Sequence, residues 1–147
     1  MSATAPPSPA KLQLLELLAA IATAQWRDFA AAAARHGLTS TQAKALAQLD
    51  EPVPMRGLAT LLVCDASNVT GIVDRLEARA LVRREADPAD RRVKNVVATD
   101  AGREIIRRVR EEMQATHGAL DTLDEDESAT LYALLARLRP TMESKAL

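Results

Sequence analysis

Residues 54–102 read PMRGLATLLVCDASNVTGIVDRLEARALVRREADPADRRVKNVVATDAG, and within this one stretch the hydrophobic spacing changes from helical to strand-like and back. Val69, Ile72, Val73 and Leu76 recur at i, i+3, i+4 and i+7, one buried stripe of a short amphipathic helix. Its other face carries Ser67, Thr70, Gly71 and Arg75, which are small or donate hydrogen bonds, and Gly71 lets the backbone come close to another surface. Asp65 stands where an N-cap is wanted, with a carboxylate able to accept from the amides of Ser67 or Asn68. Ahead of it, Leu58, Leu61 and Leu62 fit a short helix that begins at Pro54. The outline is helix, three-residue turn (Val63, Cys64, Asp65), helix.

Two strands are expected next, Leu81 to Ala86 and Lys94 to Ala98, around the tip DPADRR. Pro88, two aspartates and two arginines make that tip a solvated, basic hairpin loop. A helix-turn-helix followed by such a hairpin is a winged helix, and the polar face of its second helix suits a DNA major groove. ASNVTGIVDRLEARALV followed by DPADRRVKNVVATDAG resembles the recognition helix and wing of the MarR family of bacterial transcriptional regulators, and the likeness runs on through the flanking helices over nearly the whole chain. An Asp before an Arg pair, with a Thr-x-x-Gly opening the next helix, is a more specific signature than a lone helix-turn-helix.

The resemblance implies a mainly α fold: a winged helix-turn-helix with a two-stranded wing, flanked by N- and C-terminal dimerisation helices that intertwine with those of a second copy. Two turns depart from the usual pattern. Val63 stands where the helix-turn-helix turn often has Gly, and Ala80 where the helix before the first wing strand often ends in Gly. If either backbone needs a positive φ, strain of about 1–2 kcal/mol is stored there.

A chain of 147 residues is long enough for one domain with a real core, and with Phe, Trp and Tyr present once each that core must be aliphatic. Many Ala and Leu with five Gly point to helix. No long uncharged apolar run and no secretory-signal order occur, so a cytoplasmic protein without membrane contact is expected. One cysteine excludes an internal disulfide, and with only His36 and His117 as nitrogen donors it builds no zinc site.

The net charge of −1 hides an uneven distribution. Residues 1–74 sum to −1, 75–110 to +5 and 111–147 to −5. Positive charge gathers on the wing and the helix after it, an electrostatic footprint for nucleic acid that a solvated basic face would also leave.

Residues 1–7 are expected as a disordered tail and 8–147 as a single domain, with dimerisation helices at 8–37 and 101–147 around a winged-helix region at 38–100. Ser8 and Pro9 read as N-cap and first residue of a helix that runs to about Arg35 and stops at Gly37. Its first half, with Leu12, Leu14, Leu15, Leu17, Leu18 and Ile21, is apolar on more than one face, which calls for a second subunit. Thr39 and Gln42 form a capping box for a second helix containing Ala43, Leu46 and Leu49. Asp50 to Pro54 is read as a break. Thr99 opens a long helix through Ile105, Val109, Met113 and Leu120 to about Asp121. Asp124 and Glu127 then box a last helix, with Leu131, Leu134, Leu135 and Leu138, that Pro140 ends or bends.

From the groove-docking geometry, Ser67, Asn68, Thr70 and Gly71 can reach the major groove, and Arg75, one turn on, a guanine edge or a phosphate. Asn68 can equally complete its helix's first turn, and Asp74 on the same side is expected to pair with an arginine. By resemblance Asp90 orients a wing arginine that enters the minor groove; Arg92 is preferred for insertion and Arg91 for the phosphate, with the reverse left open. Relatives bind small aromatic or phenolic anions near the region of Trp26 and His36, so these two are candidate effector contacts, although an aromatic at helical spacing is more often core.

The reading that results is a sequence-specific, ligand-responsive homodimeric repressor of double-stranded DNA, with an activator role also open and no cofactor beyond such an effector. A protein-binding winged helix and a thiol redox sensor through Cys64 are the alternatives; a small free cysteine in this turn reads first as a packing residue. No Gly-rich phosphate loop, metal spacing, or nucleophile with a base and orienter is present, so no enzyme is expected.

Overall fold

Schellman turns and capping boxes set the helix ends in the computed structural model, which describes the backbone of residues 10–145 and side chains as far as residue 140. The first helix, α1 (Lys11–Arg35), ends where Gly37 takes a left-handed φ of 67° and the Leu38 amide donates back to the Ala33 carbonyl at 3.1 Å. The expected tail and the Ser8–Pro9 cap lie outside the described residues. In α2 (Ser40–Ala47) the box is present as read: the Gln42 amide donates to Thr39 Oγ1 and the Thr39 amide to Gln42 Oε1.

The Asp50–Pro54 break holds a strand that the periodicity did not reveal. β1 (Val53–Pro54) pairs antiparallel with β3 (Lys94–Ala98), Val53 opposite Val96, and β3 pairs with β2 (Val82–Ala86), so the wing is a three-stranded sheet in the order β1-β3-β2 rather than two strands alone. Two residues are too few for an alternating pattern, and the pairing depends on a strand some forty residues away. Pro54 is consequently the N-cap of α3 (Met55–Leu62), not its first residue. Leu58 and Leu62 of α3 are buried, whereas Leu61 is exposed.

The second helix of the motif, α4 (Ala66–Ala78), buries the four residues its spacing predicts, Val69, Ile72, Val73 and Leu76. Asp65 is its N-cap by backbone geometry, but the carboxylate accepts no amide there; the Asp65 carbonyl takes the Val69 amide at 3.1 Å. Val63 (φ 53°) and Ala80 (φ 55°) both occupy the left-handed region, so both turns keep the glycine conformation without the glycine.

α5 (Asp100–Glu111) opens on Thr99, whose hydroxyl accepts from the Gly102 amide at 3.1 Å and donates to the Ala80 carbonyl at 2.7 Å. Gly102 passes so close to β2 that a Cβ would stand 2.1 Å from the Leu81 carbonyl oxygen. The Thr-x-x-Gly signature is therefore a packing device that seats α5 against the turn into the wing. Ile106 rather than Ile105 is fully buried, with Val109 and Met113.

The long helix expected to reach Asp121 is two helices, α5 and α6 (Gln114–Leu120). At the break, Arg35 Nη2 donates to the Glu112 carbonyl at 2.7 Å, a partner 77 positions away that no local spacing reports. α7 (Glu125–Lys145) has the Asp124/Glu127 box as read, and it runs through Pro140 instead of ending there. Proline's fixed φ is helical even though it removes one donor. The chain divides into two compact units, the first ending at Met113 and the second beginning at Gln114.

In the first unit the core is formed by Phe29, Ala32 and Ala33 at the end of α1, Leu46, Leu58, the α4 stripe, Val82, Val96, Ile106 and Val109. Leu12, Leu15, Leu17 and Ile21 on the earlier part of α1 are more than half exposed. In the second unit Leu131, Leu134, Leu135 and Leu138 of α7 are also exposed.

Candidate nucleic-acid interface

The outer face of α4 divides into two rows. Ser67, Gly71 and Arg75 follow each other at i, i+4 and i+8, and with Asn68 they line an open groove shared with Thr39, Thr41 and Gln42 at the start of α2. Thr39 and Gln42 were legible in the sequence only as a capping box and Thr41 not at all; their place beside α4 comes from packing. Gly71 meets nothing within 4 Å of where a Cβ would be, so the fold itself does not require a glycine there. Cys64, half-buried, lines the same groove.

The second row turns toward the wing. Thr70 Oγ1 donates to the Ala66 carbonyl at 3.1 Å, which leaves that hydroxyl its lone pairs to offer a partner and commits its proton. Asp74 and Glu77 hold Arg84 of β2, at 2.5 Å and 2.7 Å. The expected arginine partner of Asp74 is therefore a wing residue, and these contacts raise the Arg84 pKa, the Asp74 hydrogen bond most.

At the wing tip Asp87 is the organiser. Its Oδ1 accepts from the amides of Ala89 at 2.8 Å and Asp90 at 3.1 Å, and its Oδ2 from Asn95 Nδ2 at 2.9 Å. These bonds, Asn95 foremost, hold its carboxyl below the ordinary range. Asp90 Oδ1 accepts from the backbone amide of Arg92 at 3.0 Å, so Asp90 orients Arg92 through its main chain and not through its guanidinium. The Asp-Pro dipeptide at 87–88 was the signal for this turn.

The basic excess of residues 75–110 is largely consumed within the protein. Arg79 donates to the Gly37 and His36 carbonyls, Arg103 to the Ala98 carbonyl, and Arg83, Arg84, Arg107 and Arg108 pair with glutamates or aspartates. Arg75, Arg91, Arg92 and Lys94 are exposed and make no ion pair or hydrogen bond from their side chains among the described residues. Lys94, next to the tip, is the one of these four that sequence reasoning did not single out.

Trp26 and His36 are not brought together. They lie ten residues apart along or just past α1, about 15 Å at helical rise. The Trp26 ring stacks on Phe29 at 5.6 Å between centroids, with Lys44 Nζ 5.8 Å from its own, and remains partly exposed. His36 Nε2 is 3.1 Å from Glu112 Oε1, a carboxylate held below its ordinary pKa by Arg35 and then by His36.

A helix-turn-helix with a free polar row, joined to a wing whose tip carries unpaired arginines, defines a winged helix DNA-binding protein. Residues 38–94 match the MarR family model. The HTH-type transcriptional regulator TtmR of Methylorubrum extorquens (strain PA1) is 30% identical over 150 residues, covering 99% of this chain and 76% of that protein. Among solved structures, the transcriptional regulator Tm0710 from Thermotoga maritima matches with a TM-score of 0.69 and 29% identity, over 92% of this chain and 97% of its own. CouR from Rhodococcus jostii RHA1, bound to p-coumaroyl-CoA, matches with a TM-score of 0.67 and 30% identity over 89% and 90%. The chain belongs to the MarR family and is a DNA-binding transcriptional regulator, in a family of regulators rather than enzymes. Among the described residues no helix is long and apolar enough to cross a membrane.

Proposed function

We propose that this regulator is a homodimeric repressor of a pseudo-palindromic operator, released by a small aromatic or phenolic anion. The observation that carries the reading is the sorting of cations: Arg75, Arg91, Arg92 and Lys94 are left free while their basic neighbours are paired. Ser67, Asn68 and Gly71 enter the major groove with Arg75 on a guanine edge or phosphate, and Thr70 accepts at its margin. Arg92 enters the minor groove and Arg91 takes the phosphate. The exposed leucines of α1 and of α7, each too apolar to be left in water, support a second copy as their cover. Two-fold symmetry then sets half-sites about one DNA turn apart.

CouR's ligand, p-coumaroyl-CoA, supports the effector class. Here Trp26 with Lys44 above its ring is the better candidate contact, and His36 the poorer because Glu112 already occupies it. Such a ligand acts only through its difference in affinity between conformations. The test is a gel shift on the DNA flanking the protein's own gene, with and without a panel of aromatic acids, and repeated with Arg92→Ala. Binding that weakens with salt and with the substitution is expected; a shift unchanged by both removes the wing from the mechanism.

A further inference from the structure

Among the described residues Asn95 is the buried polar side chain, only 6% exposed, and its Oδ1 has no hydrogen-bond partner among them. An aliphatic residue in its place would bury the same surface without an orphaned acceptor. Its neighbours on β3, Val96 and Val97, are what such a strand ordinarily carries. The other end of the amide explains the exception. Asn95 Nδ2 donates to Asp87 Oδ2 at 2.9 Å, and the second oxygen of that carboxylate gathers the amides of Ala89 and Asp90. The loop closes with Asp87 N on the Val93 carbonyl and Val93 N on the Asp90 carbonyl, both at 2.9 Å, and Arg92 N on Asp90 Oδ1. The base of this chain of bonds is rigid, because Asn95 lies on the middle strand between Pro54 of β1 and Glu85 of β2.

We propose that Asn95 is a positioning residue for DNA recognition: through Asp87 it holds the wing tip in one conformation, so that Arg91 and Arg92 meet the duplex already ordered. This rests on the reading of the wing as a DNA contact. A loop ordered before binding loses less freedom on binding, which is how a side chain that touches no nucleotide strengthens a complex. Arg91 and Arg92 have no ion pair of their own to fix them, so the backbone beneath them sets where they point.

A purely structural residue and a positioning residue differ in the sign of one effect. Asn95→Leu removes the orphaned acceptor and leaves the half-buried Asp87 carboxylate its two backbone amides and water; the melting temperature is expected to hold or rise. Affinity for an A-tract duplex is expected to fall by roughly tenfold, approaching that of Arg92→Ala. In the free protein, the amides of Ala89 and Asp90 are expected to exchange faster by nuclear magnetic resonance. The exchanged pair Asp87→Asn with Asn95→Asp restores the carboxylate–amide bond in reverse and is expected to recover part of both losses. Asn95→Leu binding the duplex as tightly as the wild type, or losing affinity with unchanged exchange at residues 89 and 90, overturns the proposal alone. A wild-type protein that binds neither A-tract nor mixed-sequence duplex at low salt, while its loop amides still respond to Asn95→Leu, overturns the DNA reading and the proposal with it.

Discussion

Arg84 Nη2 lies 2.5 Å from Asp74 Oδ1, so the first long strand of the wing is tied to the flank of the recognition helix by a guanidinium that also reaches Glu77. The Arg84 amide adds a third bond, to Glu77 Oε2 at 3.2 Å. Three hydrogen bonds from Arg84 thus join the wing strand to α4. Arg84→Ala should lower stability by about 1 kcal/mol, since the partners are exposed and screened. Operator affinity should fall further than the change in stability alone accounts for, because the wing then no longer tracks the helix. Urea unfolding and a salt-matched binding titration measure the two effects separately.

Gly71 lies on the groove row with open space beyond it. Alanine is the better helix former, so Gly71→Ala should stabilise the free protein by about 0.5–1 kcal/mol. If the helix backbone approaches a duplex there, the same methyl should weaken binding. A variant both more stable and equally tight on DNA would place the groove contact elsewhere on α4.

Val63 is 87% exposed, so its side chain contributes little packing, while its φ of 53° strains a β-branched residue. Val63→Gly should raise stability by about 0.5–1 kcal/mol after the added entropy of the unfolded chain is subtracted. Thermal melts of Val63→Gly and Ala80→Gly, singly and together, test whether both turns store strain.

Gly102 offers the opposite case. A methyl 2.1 Å from the Leu81 carbonyl has nowhere to go except by moving α5 away from the wing turn. Gly102→Ala should destabilise by roughly 1–3 kcal/mol, and a melt indistinguishable from the wild type would contradict the close approach.

Glu104 is held at about 2 by hydrogen bonds from Arg107 and then Arg108, against an ordinary value of 4.5. A depressed carboxyl stabilises the folded state above its unfolded value and loses that contribution as pH falls from about 4.5 toward 2. Glu112 and Asp87, also lowered, act in the same direction. Stability should therefore fall on acidification through this window, less steeply in Glu104→Gln and less steeply at high salt, because the network is exposed. Urea midpoints between pH 6 and about pH 3 give the comparison.

Much of the framework of the candidate interface was legible because its signals are local. The stripe Val69, Ile72, Val73, Leu76 identified α4 and, by subtraction, its outer face; the boxes at Thr39 and Asp124 marked helix starts; Val63 and Ala80 were readable as glycine-like turns. Asp90 was read as orienting a wing arginine and does reach Arg92, through its backbone amide; the part Asp87 plays in organising the tip was not read. Which of two nearby aspartates does this depends on the position of Asn95 across the hairpin, which spacing alone does not convey.

Sequence alone determined the helix-turn-helix with its wing hairpin and the helices at either end, and it nominated a first set of polar residues for the face proposed to meet DNA. Periodicity, caps and turn residues act over a few positions, and they survive as pattern. Only the tertiary structure decided which cations are free, that β1 joins the wing sheet, that the helix after the wing breaks near Glu112, and that Asn95 stands behind the tip. Each of those depends on groups separated along the chain and brought within about 3 Å of each other by packing, and a charge or an amide is spoken for only once its partner has arrived.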